Sequence, residues 1–549
     1  MKRSVFSVFL LCVVLTMTGQ VRLVKKGLRS QIEVKGEPML ILGGELSNSA
    51  ATSTDDIDSL MPRLAKMGLN TVLVPAQWDL IEPEEGKFDF LTIDETIKEA
   101  RKYGMKVVFL WFGAWKNSMS CYAPTWFKRD ISRFPRATTA NGKPLEIASA
   151  FSEEVFRADN RAFGELIRHI RDVDAKENTV IMIQVENEIG MLEAARDHSP
   201  LAEKAWGGYV PDDVRKAMKW EKGTWKAVVG SDLYGEEKFQ AYYYAKYVER
   251  LAKTARSIYD IPLYVNAAMN SRGRKPGEYP SAGPLAHLAD IWKVAAPSID
   301  ILAPDIYDTG FKSWASQYDM GNKNPLFIPE SRCCENSGVR ALYVFGEHEA
   351  IGFSPFAIDQ STQNDCLEVT RAYTLLKNIC PILLKNRGKK NIRGMLFDKE
   401  DKEAVFHWDN MTITGRHYFT LPWDPRATDG SKWREGGGII IRLAENDYLI
   451  AGSGIVITFQ SDTEVKQVEK TTLGEDGFVD NGSSSVPNRK DTKFYGKRIG
   501  LGTVDEVVVE PTGTLHSIRR FNGDQTHQGR HVRLSVDDFK VLHVSLYCY

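Results

Sequence analysis

Two carboxylates flank an asparagine in Glu186-Asn187-Glu188, which follows an apolar run from Val180 to Ile183 and ends at Gly190. A carboxyl group can donate a proton, accept one, or attack an electrophilic carbon, depending on its ionisation and what it faces. The apolar run is of the kind buried on both faces of a parallel sheet, so the polar triplet marks the strand's C-terminal tip. Catalytic groups collect at such tips in a (β/α)8 barrel, and that is the architecture this stretch predicts. A lone carboxylate here would more often be a buried salt-bridge partner; two around an asparagine point to chemistry. Two-residue alternation puts Glu186 on the same face as Glu188 and one layer deeper, as a buried, paired support rather than a second catalyst.

A second apolar strand with a carboxylate at its tip is Asn324-Pro-Leu-Phe-Ile-Pro-Glu330-Ser-Arg-Cys-Cys334. The plain alternative for Glu330 is a salt bridge to Arg332.

The elements that must position these groups alternate as a barrel requires. Residues 30–42 read as a strand, a turn at Lys35-Gly36 and a second strand, ending in Gly43-Gly44-Glu45-Leu46. Ser53-Thr-Asp-Asp56 opens a helix as a capping box; Ile57, Leu60, Met61, Leu64 and Met67 follow at helical spacing, and Gly68 closes it. Strands are expected at 69–75, 106–111, 180–183, 261–266, 299–306 (with Asp305 and Tyr307 at the tip), 326–330 and 351–358, with helices between them and a last one near 367–384. Residues 191–260 form a long insertion carrying Trp206, Tyr209, Trp220 and Trp225, of the kind that shapes a cleft at the barrel rim. From about Lys389 short alternating runs separated by turn signals read as an all-β, sandwich-like module. Residues 476–493 read as a polar loop. The expected division is 1–20 leader, 21–388 barrel and 389–549 β-domain.

Ile183-Gln-Val-Glu-Asn-Glu-Ile-Gly190 resembles the acid/base strand of glycoside hydrolase family 35, whose members are chiefly β-galactosidases, and a C-terminal β-domain accompanies a bacterial branch of that family. The resemblance implies that Glu188 is the proton donor and Asn187 the ligand of the sugar 2-hydroxyl. It also implies that Glu330, at the end of strand seven, is the nucleophile of a retaining reaction, in which the two carboxyls stand about 5–5.5 Å apart. Trp78-Asp-Leu-Ile-Glu-Pro-Glu-Glu-Gly-Lys-Phe-Asp-Phe90 is similar to a motif widespread after strand two in the wider clan, Gly44-Glu45 to the tip of strand one, and Tyr307 to a strand-six tyrosine near the nucleophile. Two motifs depart. Pro75-Ala-Gln-Trp-Asp79 stands where better-known members carry Tyr-x-Pro-Trp-Asn, and Gly113-Ala-Trp115 where they carry Ala-Glu-Trp, leaving Asn117 or Lys116 as substitutes for a galactose contact. Pyranose rings stack on aromatic faces, and Trp78, Trp115, Tyr307, Phe353 and Phe356 lie at or near strand tips, although a single aromatic is more often core. The expected substrate-binding set is Asn187, Tyr307, Glu45, Trp78, Trp115 and Asn117.

Bulk properties narrow the alternatives. A chain of 549 residues exceeds one ordinary core. A net charge of −1 argues against nucleic acid or an anionic membrane as the main partner. Lys2-Arg3 followed by apolar residues 5–17 reads as a secretory leader cleaved near Gly19-Gln20, too short to span a membrane. Cys12 lacks the preceding small residue of a lipidation site, so a soluble exported protein is expected over a lipoprotein. The remaining cysteines, Cys121, Cys333, Cys334, Cys366, Cys380 and Cys548, are too few for a disulfide framework. No zinc-ligand spacing or phosphate loop occurs, so no metal or cofactor is expected. The resulting expectation is an exported, retaining, exo-acting β-galactosidase with a carbohydrate substrate. The alternatives are another retaining barrel glycosidase, such as a family 42-like galactosidase or an arabinosidase, and a non-catalytic glycan-binding protein.

Overall fold

The computed structural model describes residues 21–421, 424–467, 472–473, 479–480 and 495–549. The expected leader, Trp423 and most of the polar stretch 476–493 lie outside them.

Eight parallel strands, each followed by a helix, close into a barrel. In chain order these are β1 (Ile41–Glu45), α1 (Thr54–Lys66), β2 (Thr71–Gln77), α2 (Leu91–Lys102), β3 (Lys106–Phe112), α3 (Glu153–Asp174), β4 (Val180–Gln184), α4 (Leu233–Ile258), β5 (Leu263–Ala268), α5 (Ala289–Ala295), β6 (Ile301–Ile306), α6 (Phe311–Tyr318), β7 (Phe327–Ile328 and Glu330–Ser331), α7 (Ser337–Glu347), β8 (Gly352–Phe353) and α8 (Gln363–Asn386). The seventh strand is split at Pro329, which has no N–H to give to a ladder. Phe327–Ile328 pair with β8, and Glu330–Ser331 pair with β6. The split therefore joins the two ends of the sheet and turns Glu330 toward β6 and away from β8. Strands five and seven and the short β8 differ from the expected ranges by a few residues, because local apolarity does not show where a ladder ends.

The run in β4 serves both sides of the barrel wall. Ile181 and Met182 join a cluster with Leu73, Val108, Leu110, Tyr264 and Phe327, whereas Val180 and Ile183 pack with the helices. Each fully buried aliphatic side chain contributes about 1.5–3 kcal/mol, so this strand cannot shift register without losing its place. A hairpin of Val21–Lys26, Arg29–Val34 and Glu37–Met39 adds Val21, Ile32 and Val34 to the first of those clusters. Helix α1 begins at the expected N-cap, with the Ser53 hydroxyl accepting from the Asp56 amide, but the capping box is not closed, because the Asp56 carboxylate accepts from the Ala51 N–H at 2.6 Å.

The C-terminal module is a sandwich. Its strands are β9 (Ile392–Phe397), β10 (Glu403–Trp408), β11 (Met411–His417), β12 (Gly436–Ala444), β13 (Asp447–Ser453), β14 (Ile455–Ser461), β15 (Ile499–Val509), β16 (Leu515–Phe521), β17 (Val532–Leu534) and β18 (Lys540–Cys548). One antiparallel sheet runs β9-β12-β13-β18-β15-β16, the other β10-β11-β14-β17. Alternation divides the larger sheet between two cores. Ile440, Ile450 and Leu542 face the smaller sheet, whereas Ile439, Ile441, Leu449, Ala451 and Val541 belong to the same cluster as Val339, Leu342, Leu376 and Ile379 of α7 and α8. Polar contacts follow the same seam. Arg340 grips Glu435 with two hydrogen bonds of 2.6 and 2.7 Å, and Asn378 Oδ1 accepts from the Val509 amide at 3.1 Å.

Candidate active site

The carboxylates named from sequence meet at the C-terminal tips of the strands. Glu188 follows β4, Glu330 lies in β7, Asp305 is the penultimate residue of β6 and Glu45 ends β1; all four are buried. One oxygen each of Glu188, Asp305 and Glu330 lie within 4.8 Å of one another. Glu330 accepts from three donors: Tyr307 Oη at 2.7 Å, Asn266 Nδ2 at 3.2 Å and Asn187 Nδ2 at 3.3 Å. Glu188 is held at its main chain, where its N–H donates to Asn266 Oδ1 at 2.9 Å, and at its side chain, where Asn117 Nδ2 donates to Oε2.

The loop after β3 supplies Lys116 and Asn117 and docks on the tip of β4. The Asn187 N–H donates to the Trp115 carbonyl at 3.2 Å, and the Trp115 N–H donates to Glu186 Oε2 at 2.8 Å. Glu186, Glu188 and Asn117 all have left-handed backbones, with φ of 60°, 45° and 51°. Such residues other than glycine each cost on the order of 1–3 kcal/mol and persist only where the surroundings over-determine them. Here the bonds from Trp115 and Asn266 do so. Gly113 is required because a Cβ there would fall 2.1 Å from Trp111 Nε1 and 2.7 Å from Asp159 Oδ1.

Glu186 is the buried support expected, but its partner is another acid and not a base. Asp159 of α3 lies against it and accepts from Trp111 Nε1 at 2.8 Å and Tyr247 Oη at 2.7 Å. Burial first, then the Asp159 charge, pushes the Glu186 carboxyl well above the usual range; burial likewise raises Asp159. Two neighbouring carboxyls in a dry interior resist being ionised together, which favours a proton on one of them.

Above them the same physics acts on the main cluster. Burial, followed by the charge of Glu330, pushes Glu188 up to about 7, against the opposing pull of Lys116. Burial and Glu330 also hold Asp305 and Glu45 well above the carboxylate range. Neither oxygen of Glu45 makes a hydrogen bond of good geometry, although it lies close enough to Glu330 for their charges to oppose each other.

Six of the expected residues are thus assembled: Glu188, Glu330, Asn187, Tyr307, Asn117 and Glu45. Trp78 and Trp115 are not part of the binding surface. Both rings are 0% exposed. Trp78 donates to Glu82 at 2.8 Å and packs on Trp111, Trp126 and Phe127; Trp115 packs edge-on to Tyr244 and Tyr247. The largest apolar side chains near the tips went to the core first, as their buried area dictates. Phe353 is buried as well, whereas Tyr307 and Phe356 remain partly exposed, with centroids 6.2 Å apart. Trp206 and Trp225 of the insertion pack on Phe239 of α4 and form its own core. Sequence reading left Asn266, Asp159 and the partners of Asp305 without roles, and named Lys116 only as an alternative to Asn117 for a galactose contact. Asn266 carried a legible signal, a polar residue ending an apolar strand; Asp159 carried none.

Among the described residues two groups of three carboxylates could hold a cation. One is the Glu188, Asp305 and Glu330 cluster; the other is Asp58, Glu95 and Glu99 on α1 and α2. In the second, Glu95 and Glu99 are already paired with Lys98 and Lys102 at 2.6 and 2.8 Å.

Residues 49–236 match a glycoside hydrolase family 42 model described as beta-galactosidase, and residues 369–533 match a domain of unknown function, DUF5597. The chain is 28% identical over 177 residues to beta-galactosidase-1-like protein 3 of Homo sapiens, covering 31% of this chain and 25% of that protein. The Mus musculus counterpart is 26% identical over 178 residues, covering 32% and 26%. The matched segment thus spans about a quarter of the length of these relatives. The beta-galactosidase of psychrophilic Marinomonas ef1 aligns with a TM-score of 0.46 at 13% identity, over 62% of this chain and 60% of that one. The polyextremophilic beta-galactosidase of Halorubrum lacusprofundi aligns with a TM-score of 0.42 at 17% identity, over 61% and 57%. The similarity therefore reaches beta-galactosidase-type glycoside hydrolases without singling out family 35, and the matched model is that of family 42.

Proposed function

We propose that the chain is a retaining exo-glycosidase that removes terminal β-D-galactosyl residues from oligo- or polysaccharides, with Glu188 as acid/base and Glu330 as nucleophile. The observation that carries this reading is the spacing of the two carboxyls, whose facing oxygens lie within 4.8 Å. That is near the separation of retaining enzymes and well short of the roughly 6.5–9.5 Å that leaves room for water in inverting ones.

The surroundings fit the two roles. Glu330 accepts three hydrogen bonds, as a carboxylate that attacks an anomeric carbon requires. Glu188, at about 7, carries a proton to give the leaving oxygen near neutrality and can take one from water in the second step. The Asn187 amide, which donates to Glu330, supports its reading as the ligand of the sugar 2-hydroxyl. Tyr307 and Phe356 offer the exposed aromatic surface that the tryptophans do not. The family 42 match over 49–236 favours a family 42-like galactosidase as the particular form of this activity. With this reading goes export, which rests on the leader-like sequence at the N-terminus.

Purified protein assayed against a panel of nitrophenyl glycosides should prefer the β-galactoside and release product of retained configuration. Glu330→Ala should abolish turnover, and azide should restore it with an inverted product. Azide rescue with inversion in Glu188→Ala instead would exchange the roles; no turnover of any glycoside by the wild type would refute the reading.

A further inference from the structure

Lys116 is 2% exposed, yet the oxygens its ammonium meets among the described residues are amide oxygens and not carboxylates. Lysines are almost never buried without a partner, because removing the ammonium from water is costly. Its neighbours are two amide oxygens and a ring. Nζ donates to Asn117 Oδ1 at 2.5 Å and to Asn187 Oδ1 at 2.9 Å, and it stands 4.9 Å from the centroid of Phe112.

An ammonium donates only, so it selects the oxygen end of each amide. The nitrogen ends must then point away from it. Asn117 Nδ2 points to Glu188 Oε2 and Asn187 Nδ2 to Glu330 Oε1. One cation thereby aligns two amides, each aimed at a different carboxylate. A neutral side chain in its place would let either amide turn over and present an oxygen to a carboxylate.

We propose that Lys116 is the positioning residue of this site: its ammonium fixes the Asn117 and Asn187 amides against Glu188 and Glu330 and supplies a positive charge that opposes their mutual repulsion. The proposal rests on the glycosidase reading above. The charged and titratable groups facing Glu188 are Glu330 from β7, Asp305 and Tyr307 from β6 and after it, Glu45 from β1, and Lys116 itself; β5 contributes the neutral Asn266. Three of these five are carboxyls, so removing the cation strengthens the hold of Glu188 on its proton, the reverse of the lowering that Lys116 exerts on Glu188 and Glu45.

The test compares wild type with Lys116→Met, Lys116→Gln and Lys116→Arg on a nitrophenyl galactoside across pH. Lys116→Met should lower kcat about 100-fold or more, the usual effect of losing one preorganised donor, and move the alkaline limb of kcat/KM up by about one pH unit. Lys116→Gln retains a donor and should keep more of kcat while moving the limb as far. Lys116→Arg keeps the charge and should leave the limb in place while losing part of kcat. A purely structural lysine would lower kcat without moving the limb in the neutral variants. That result, or a Lys116→Met kcat within about threefold of wild type, overturns the proposal. If neither neutral variant folds, Lys116→Arg decides: a displaced limb or an unchanged kcat overturns it. Infrared difference titration of Glu188, referenced to Glu188→Gln, follows the same shift without turnover. An inactive wild type whose Glu188 titration still responds to Lys116 would refute the glycosidase reading alone.

Discussion

Asp305 and Glu330 sit opposite each other in the register of β6 and β7, and the amide nitrogen of Asn266 lies 2.8 and 3.2 Å from an oxygen of each. The oxygen of the same amide accepts from the Glu188 main chain at 2.9 Å. A neutral side chain on β5 therefore ties together three acids from three other parts of the wall, and its orientation follows from the main-chain N–H that only an oxygen can accept.

Replacing Asn266 tests this tie. Asn266→Ala leaves the Glu188 N–H without a buried partner and removes a donor from Glu330, at a cost of about 1–3 kcal/mol in stability. We expect kcat/KM to fall about 100-fold. Asn266→Asp should be worse, because it adds a fifth carboxyl, and should move the Glu188 titration upward. Steady-state kinetics across pH measure both effects; a fully active Asn266→Asp would contradict the arrangement.

The Glu188 value of about 7 gives kcat/KM an alkaline limb. Below about 7 the carboxyl holds its proton and can act as an acid; as pH rises through 7 the proton is lost and activity declines. A dinitrophenyl leaving group departs without protonation, so with that substrate the limb should flatten. Glu188→Gln should lose about 10²–10⁴-fold on substrates with poor leaving groups and much less on dinitrophenyl ones. Equal losses on both would remove Glu188 from the acid role.

The Glu186–Asp159 pair makes stability depend on pH. Both carboxyls bind protons more tightly folded than unfolded. Their contribution is fully present below the ordinary carboxylate range and is lost as pH rises through the raised values, since the folded state holds more protons there. Glu186→Gln keeps a neutral hydrogen-bonding group and should flatten that decline above the ordinary carboxylate range. Glu186→Ala should cost about 1–3 kcal/mol at any pH, because the Trp115 N–H loses its acceptor. Thermal midpoints across pH distinguish these outcomes; identical slopes in wild type and Glu186→Gln would show that the pair does not share a proton.

Truncation near Lys389 should yield insoluble or heat-labile protein. It removes Ile392, Leu396, Ile439, Ile441, Leu449, Ala451, Val507, Val509 and Val541 from the cluster they share with the barrel helices. At about 1.5–3 kcal/mol for each large side chain, that loss rivals the 5–15 kcal/mol that keeps a domain folded. A soluble barrel that stays active on small substrates would show that the sandwich is not needed as a brace.

Export predicts a mature N-terminus at or near Val21. This residue already pairs with Val34 in the first hairpin, so cleavage near Gly19-Gln20 would leave the described structure whole. N-terminal sequencing of a periplasmic or culture fraction checks it. Protein that begins at Met1 and remains in the cytoplasm would overturn it.

The order of elements and the place of Glu188, Asn187 and Glu330 at strand tips were legible in the sequence because each depends on neighbours a few residues away. An apolar run, a polar tip and a capping residue such as Ser53 are local patterns, and eight of them in alternation leave few other ways to fold. What surrounds those carboxyls was decided only in three dimensions. Trp78 and Trp115 carried the same local signal as Tyr307, but whether a ring faces the cleft or the core depends on the helices packed behind it, here α3 and α4. Glu186 was read as a buried, paired support with no partner named, and that partner is Asp159 of α3. Lys116 was named only as an alternative to Asn117 for a sugar contact, and its burial against Asn117 and Asn187 exists because the loop after β3 bridges to the tip of β4. A chain shows which groups can ionise; the dielectric, the facing charges and the hydrogen-bond partners that set their states come from segments far apart in sequence.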